Sequence, residues 1–385
     1  MRFRGGTSLD LAGQRGAINL MVGLLEEGTG DLDARGFATA RDELAASFDY
    51  SAYDDTISVS ARYLTETQDA AMALLKGSLV APNFTEVALK RVRAQVVAGL
   101  KSDSKDPDSI VSKRFDALAF GDHPYGSRAE GTIESVSALT RDQIKAAHFG
   151  TLTRDRVYAS AVGDITAEQL TSLLDRLLSE LPQTGRPMPS KVAYGLDGGT
   201  TVVDFDTPQS VAIFGQRGIE RDHPDFFAAY LINQILGGGS FESRLMEEVR
   251  EKRGLTYGVY SYLLPKDFSH LYIGRVASAN DRIAEAIAVI RAEWTRMADS
   301  GVTQDELRRA KTYLTGSYPL RFDGNGPIAN IMVGMQVQGL PVAYINNRNH
   351  KINAVTLQDA NRVARQLLDP DGLHFVVVGR PEGLD

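Results

Sequence analysis

The 385-residue sequence contains no cysteine, which removes disulfides, thiolate nucleophiles and cysteine-ligated zinc at once. Histidine is scarce: the six are His123, His148, His223, His270, His350 and His374. No two are four residues apart, so no helix can present a histidine pair one turn apart to a metal. No apolar run approaches the roughly 18 residues that span a bilayer. Positive charge is in deficit, 42 Lys and Arg against 49 Asp and Glu, and a net-acidic chain argues against a nucleic-acid partner. Met1-Arg2-Phe3-Arg4-Gly5-Gly6 has neither an apolar core nor a small-residue cleavage site, so no signal peptide is visible. What remains, 43% hydrophobic and 24% charged, is the balance of a globular protein long enough for two or three domains.

The sequence repeats itself. Phe3-Arg4-Gly5-Gly6 resembles Phe214-Gly215-Gln216-Arg217-Gly218, and Asn19 to Thr29 parallels Tyr230 to Ser240. Leu89 and Arg91 match Leu307 and Arg309, Thr140 matches Thr356, and Gly163 matches Gly379. The order is common and the offset nearly constant, as a duplication requires. Each unit reads as a strand, an apolar helix ending in a glycine turn (13–29, 222–239), a short helix and two alternating strands. Two helices follow (67–79 and 85–101; 279–299 and 304–317), and a last strand (Arg156 to Val162; His374 to Val378). Thr303/Glu306, Thr140/Gln143 and Thr166/Gln169 have capping-box spacing. Hairpin-ordered strands with grouped helices predict an α+β fold: two homologous domains, 1–185 and 186–385, each a mainly antiparallel sheet with helices on one face. The Pro/Gly-rich stretch Leu181 to Gly199 is the expected linker, and the domains are expected to pack about a pseudo-twofold axis.

The repeat also bears on the start. Thr200 to Asp206 reads as a strand before Ser210 to Gly215, and its counterpart would precede Met1. The expectation is a missing first strand in the N-terminal domain, with anything upstream of it, and on that ground a periplasmic compartment is favoured over the cytoplasm.

Asp222-His223-Pro224-Asp225-Phe226-Phe227, Ile235 to Leu245 (with Gly237-Gly238-Gly239-Ser240) and Arg250-Glu251-Lys252-Arg253-Gly254-Leu255-Thr256-Tyr257 resemble the C-terminal domain of pitrilysin/insulinase-type zinc peptidases. Gly301 to Leu307, His123-Pro124-Tyr125-Gly126 and Ala161-Val162-Gly163-Asp164 extend the resemblance. It implies two homologous α+β domains and paired halves that enclose a peptide chamber. An active member carries H-x-x-E-H on its first helix and a ligand glutamate about 75 residues on. Two histidines at i and i+4 bind zinc, and the glutamate between them activates a zinc-bound water. Aligned on Gly16 to Thr29, those positions fall on Asn19, Val22 and Gly23, and the distant glutamate on Gly99. All four are replaced, so no metal and no catalytic residue is expected in this chain.

The acidic cluster Glu26, Glu27, Asp31 and Asp33 reads first as a solvated helix end. His123 and His223, each before a proline, read as turn-fixing. Gly237-Gly238-Gly239-Ser240 follows a helix and lacks the phosphate-loop lysine, so it reads as a helix end in left-handed conformation. The resemblance retains one pair, Arg250 and Tyr257, which in active relatives reach toward the scissile peptide. From spacing alone Arg250 would pair with Glu247 or Glu251, and Tyr257 would fill a strand. The expected function is a non-catalytic subunit of a heterodimeric zinc metallopeptidase. It would bind peptide substrate through Arg250 and Tyr257, with zinc held by a homologous partner subunit. A structural subunit of the same fold, or a peptidase with an unrecognised metal site, are the alternatives.

Overall fold

The computed structural model describes residues 1–238 and 242–384. The chain opens with β1 (Arg2–Arg4), α1 (Ala17–Val22), β2 (Gly28–Thr29), β3 (Leu32–Asp33) and α2 (Ala34–Glu43). Next come β4 (Ser47–Ala52), β5 (Thr56–Arg62), α3 (Gln68–Val80), α4 (Glu86–Asp103) and α5 (Pro107–Phe120). Then follow α6 (Ile133–Ala138), α7 (Arg141–Thr151), β6 (Val157–Tyr158) and α8 (Ala167–Leu178). The second half runs β7 (Thr200–Asp204), β8 (Gln209–Arg217), α9 (Phe226–Gly237), a π-helical turn (Met246–Glu251), β9 (Val259–Pro265) and β10 (His270–Ala279). It ends with α10 (Ile283–Ser300), α11 (Gln304–Gly316), α12 (Asn325–Val337), α13 (Tyr344–Ala354), α14 (Leu357–Leu367) and β11 (His374–Gly379). Among the described residues no helix is long and apolar enough to cross a membrane.

Two compact units emerge, and neither is a continuous half of the sequence. The first comprises Met1–Ser102, Ser127–Pro189 and Phe322–Val342. Its sheet has the order β4-β5-β1-β6 with every pair antiparallel. Phe3, Ile57 and Val59 from the strands interlock with Ile18, Met21, Leu75 and Ile144 from α1, α3 and α7. Helix α12 lies against β1 and β6 of this unit. Asn330 accepts from the Arg2 guanidinium at 2.7 Å, and the Ala329 carbonyl accepts from the Ser160 hydroxyl at 2.7 Å.

The second unit comprises Asp103–Gly126, Ser190–Arg321 and the residues from Ala343 onward. Its sheet is β7-β11-β8-β10-β9, antiparallel except for the β11–β7 pair. Ala212, Phe214, Phe375 and Val377 pack into the core shared with α9, α10 and α14, centred on Trp294. Val211, Ile213, Val376 and Val378 alternate with them and pack with Val111, Phe115 and Ala119 of α5. Helices therefore mass on one face, and among the described residues α5 is the helix that covers the other. This is why β8 and β11 read as unbroken apolar runs, the pattern of strands buried on both sides.

The fold is α+β with mainly antiparallel sheets. The order β4-β5-β1-β6 recurs as β9-β10-β8-β11, with β7 added beside β11. Local chemistry starts many of the helices: Thr140, Thr166, Thr303 and Thr356 each cap through a reciprocal side-chain bond with the residue three positions on. Other bounds differ from the sequence reading. Helix α1 spans six residues, because Asp10 bonds the N–H groups of Gly16 and Ile18 at its start and Gly23 ends it. Strand β6 is two residues long, since β1 offers only Arg2 and Phe3 as partners there.

Candidate functional site

The positions that would carry zinc lie on α1 and α4. Asn19 is half-buried, Val22 is buried in the core, and Gly23 is exposed at the helix end. A Cβ at Gly23 would come 3.2 Å from Val92 Cγ1, whereas a Cβ at Gly99 would meet nothing within 4 Å. An amide, an aliphatic chain and two glycines supply neither the imidazoles nor the carboxylates that zinc takes, so these residues do not fit the metal. Among the described residues no other group of three histidines or carboxylates is placed to hold a metal ion.

The neighbouring acids are committed elsewhere. Glu26 pairs with Arg41 at 3.1 Å, Glu27 pairs with Arg91, and Asp33 caps α2 through the Gly36 N–H at 2.8 Å. With Asp31 and Asn83, Glu27 and Asp33 line a surface cavity of about 660 Å³. Glu27, 11% exposed in its side chain, is thus a paired carboxylate and not the solvated one expected from the sequence. Asp10, which holds the start of α1, sits 3.3 Å from Arg15. Burial raises its carboxyl to about 6, against the pull of Arg15 and of the Gly16 and Ile18 N–H groups.

Both histidines flagged before prolines fix turns. His123 Nδ1 accepts from the Tyr125 N–H, and His223 Nδ1 accepts from the Asp225 N–H, both at 3.1 Å.

The glycines after α9 require a correction. Gly237 lies within the helix and Gly238 has φ −69°, so neither is left-handed. Glycine is needed there for close approach. A Cβ on Gly237 would fall 2.4 Å from Ser261 Oγ, and one on Gly238 would fall 2.6 Å from Gln234 Cα. Gly239, Ser240 and Phe241 lie outside the described residues. Arg244, just beyond them, grips Glu306 at 2.7 and 2.9 Å and the Gly301 carbonyl at 2.9 Å. Burial alone would raise the Glu306 carboxyl, but Arg244 and the Thr303 cap hold it down at about 2.

Arg250 closes the π-helical turn, one third exposed, with Glu251 at 3.6 Å. Tyr257 lies in the loop before β9, outside any strand, and is 89% exposed. The loop itself is tightly anchored. The Gly254 and Leu255 N–H groups return to the Arg250 and Val249 carbonyls at 2.8 and 2.9 Å. Thr256 Oγ1 donates to the Ala277 carbonyl at 2.7 Å, and Ser278 Oγ donates to the Leu255 carbonyl. Leu255, 4% exposed, plugs the core. The segment thus holds its backbone to β10 while presenting the Tyr257 ring to solvent. Thr256 and Ser278 were missed by the sequence reading, and only the Thr adjacent to Tyr257 could have hinted at the anchor.

The sequence profile of the family described as "Peptidase M16 inactive domain" matches residues 138–314. A Helicobacter pylori protein described as a non-peptidase homolog is 28% identical over 379 residues, 98% of this chain and 88% of its own. An uncharacterized zinc protease of Streptomyces coelicolor is 26% identical, over 92% of this chain and 78% of its own. The crystal structure of a peptidase M16 inactive domain from Pseudomonas fluorescens superposes with a TM-score of 0.93 at 28% identity, covering 100% of this chain and 93% of that one. With the repeat, the fold and the replaced zinc positions already on the page, these likenesses agree: the chain is similar to the M16 family, the pitrilysin/insulinase-type peptidases, and among them to proteins described as inactive or non-peptidase.

Proposed function

We propose that this chain is the peptide-binding, non-catalytic subunit of a heterodimeric zinc peptidase, with the zinc on a homologous partner subunit. The observation that carries the reading is the Arg250–Tyr257 segment. Its backbone is anchored by Thr256 and Ser278, while a large aromatic side chain is left almost wholly in water, where it contributes nothing to the core. Arginine offers a rigid fork of donors to peptide carbonyls, and a tyrosine hydroxyl donates to an oxyanion as it develops. Neither role needs zinc on the same chain.

The test is reconstitution with a zinc-bearing homologue, complex formation being checked by size. Tyr257→Phe is expected to lower turnover by about 100- to 1,000-fold with assembly intact, the range for loss of one oxyanion donor. Arg250→Ala is expected to act more on KM, because it removes ground-state contacts as well. Unchanged kinetics for both in a fully assembled pair would leave this subunit as scaffold.

A further inference from the structure

The loop that carries Tyr257 is held by two kinds of contact, and only one of them reaches the tyrosine. Leu255 plugs the core, and Ser278 Oγ donates to its carbonyl. Gly254, at φ +62°, turns the chain out of the π-helical turn, and its N–H returns to the Arg250 carbonyl at 2.8 Å. These contacts fix the chain as far as Leu255. On the other side, the β9–β10 ladder stops at the pair Val259↔Val276. Between the two fixed points lie Thr256, Tyr257 and Gly258. Gly258 is exposed, with open space where a Cβ would lie, so no side chain of its own restrains the backbone there.

Thr256 Oγ1 closes that gap. It donates to the Ala277 carbonyl of β10 at 2.7 Å, with the Gly258 carbonyl at 2.9 Å in reach of the same proton. It also accepts from the Gly258 N–H at 3.1 Å. A hydroxyl has one proton and two lone pairs, so one group serves both as donor and as acceptor. Where the ladder ends, a side chain thus supplies the next bond to β10 and ties the residue after Tyr257 to the residue before it. The Tyr257 ring is 89% exposed and has almost no packing to direct it. It takes its direction from a backbone clamped on both sides.

We infer that Thr256 is a positioning residue for Tyr257. Its hydroxyl, and not its methyl group, sets the direction in which the tyrosine is presented to a scissile peptide. This deepens the proposed function and rests on it. Leu255 and Ser278 hold the fold of the loop, and Thr256 holds the aim of the ring. A reacting group misplaced by about 1 Å can cost on the order of 100-fold in rate. A loosened backbone samples such displacements only part of the time, so the loss of the clamp is expected to cost about ten-fold.

The test is steady-state kinetics on the full chain reconstituted with a zinc-bearing homologue, with assembly checked by size and folding by melting. Thr256→Val keeps the β-branched shape but neither donates nor accepts. It is expected to lower kcat about ten-fold while KM changes by less than about two-fold. Thr256→Ser, which keeps the hydroxyl, is expected to restore most of that loss. In a Tyr257→Phe chain, where the donor is already gone, Thr256→Val should change kcat by less than about two-fold, because the two residues act as a unit. A measurement on the unmodified chain depends on no variant: the Gly258 N–H is expected to exchange at least about ten-fold more slowly than a free amide.

A full loss in the Tyr257→Phe background, no rescue by serine, or an effect confined to KM or to melting would make Thr256 a structural anchor only and overturn the inference. So would wild-type kcat in assembled Thr256→Val, or exchange of Gly258 at the free rate. If Tyr257→Phe impairs turnover and Thr256→Val does not, this inference falls alone and the subunit reading stands. If Tyr257→Phe itself changes nothing, the reading falls and takes the inference with it.

Discussion

Helices α1 and α9 occupy equivalent places in the two repeats, and they have diverged in opposite directions. Around α1 the chemistry has been emptied: Asn19, Val22, Gly23 and, on α4, Gly99 carry no donor set, and the surrounding acids serve as caps and ion-pair partners. After α9 the family motif remains, and its parts are sorted into anchors and exposed groups. Arg244 is bound to Glu306, Thr256 to β10, and Tyr257 to nothing in the core. One scaffold can lose a metal site without losing its fold, because the ligands of such a site are additions to the core and not members of it. Val22 is the informative exception, having become core.

The largest effect expected from breaking this contrast is at Val22, 4% exposed among the side chains that pack α1. Returning a carboxylate with Val22→Glu should cost on the order of 3–5 kcal/mol, since an unpaired charge would replace a buried aliphatic chain. Chemical denaturation reads it directly. A loss under 1 kcal/mol would mean that the base position still opens to water.

Two carboxylates with shifted pKa values, Asp10 buried and Glu306 half-buried, distinguish the units by pH. Asp10 in the first has a pKa raised to about 6. The folded state there holds a proton that the unfolded state releases, so this contribution is full below about 4 and is lost as pH rises through 6. Glu306 in the second is held at about 2, so its contribution is present above about 4.5 and lost as pH falls toward 2. Asp10 is worth on the order of 2–3 kcal/mol over its window, and Glu306, partly open to solvent that screens its charge, less than that. Hydrogen exchange on α1 and on α11, followed from pH 3 to pH 7, should show opposite slopes. Asp10→Asn should flatten the first slope, and Glu306→Gln the second.

Legibility in the sequence followed the range of the signal. Capping boxes at Thr140, Thr166 and Thr303 are local, and their helices start where expected. The two-sided burial of β8 and β11 was visible as apolar runs, but the helix responsible was not. Helix α5 opens with Asp106 as cap and Pro107 at the first turn, yet its cover of β8 and β11 depends on contacts far along the chain, which periodicity does not record. Helix α12 is apolar with little facing preference, and its place on β1 and β6 is equally non-local. The glycines after α9 were read by a local rule, left-handed caps, when the deciding fact was the distant Ser261. At the candidate site the loss of ligands was plain from residue identity. Exposure of Tyr257 was not, because strand filling and a solvent-facing loop share one sequence.

The smallest effect tests the same contrast at Gly99. This position sits inside the 18-residue helix α4, exposed, with open space where a Cβ would go. A glycine there costs helix stability through backbone entropy and gains no close packing in return. Gly99→Ala should therefore stabilise the chain by about 0.5–1 kcal/mol, seen as a higher denaturation midpoint with unchanged m-value. Gly23→Ala provides the comparison, since its Cβ would press on Val92 at 3.2 Å and should give no gain. If Gly99→Ala destabilises, something covers that face of α4. The ligand position would then have been taken over by a contact and not simply emptied.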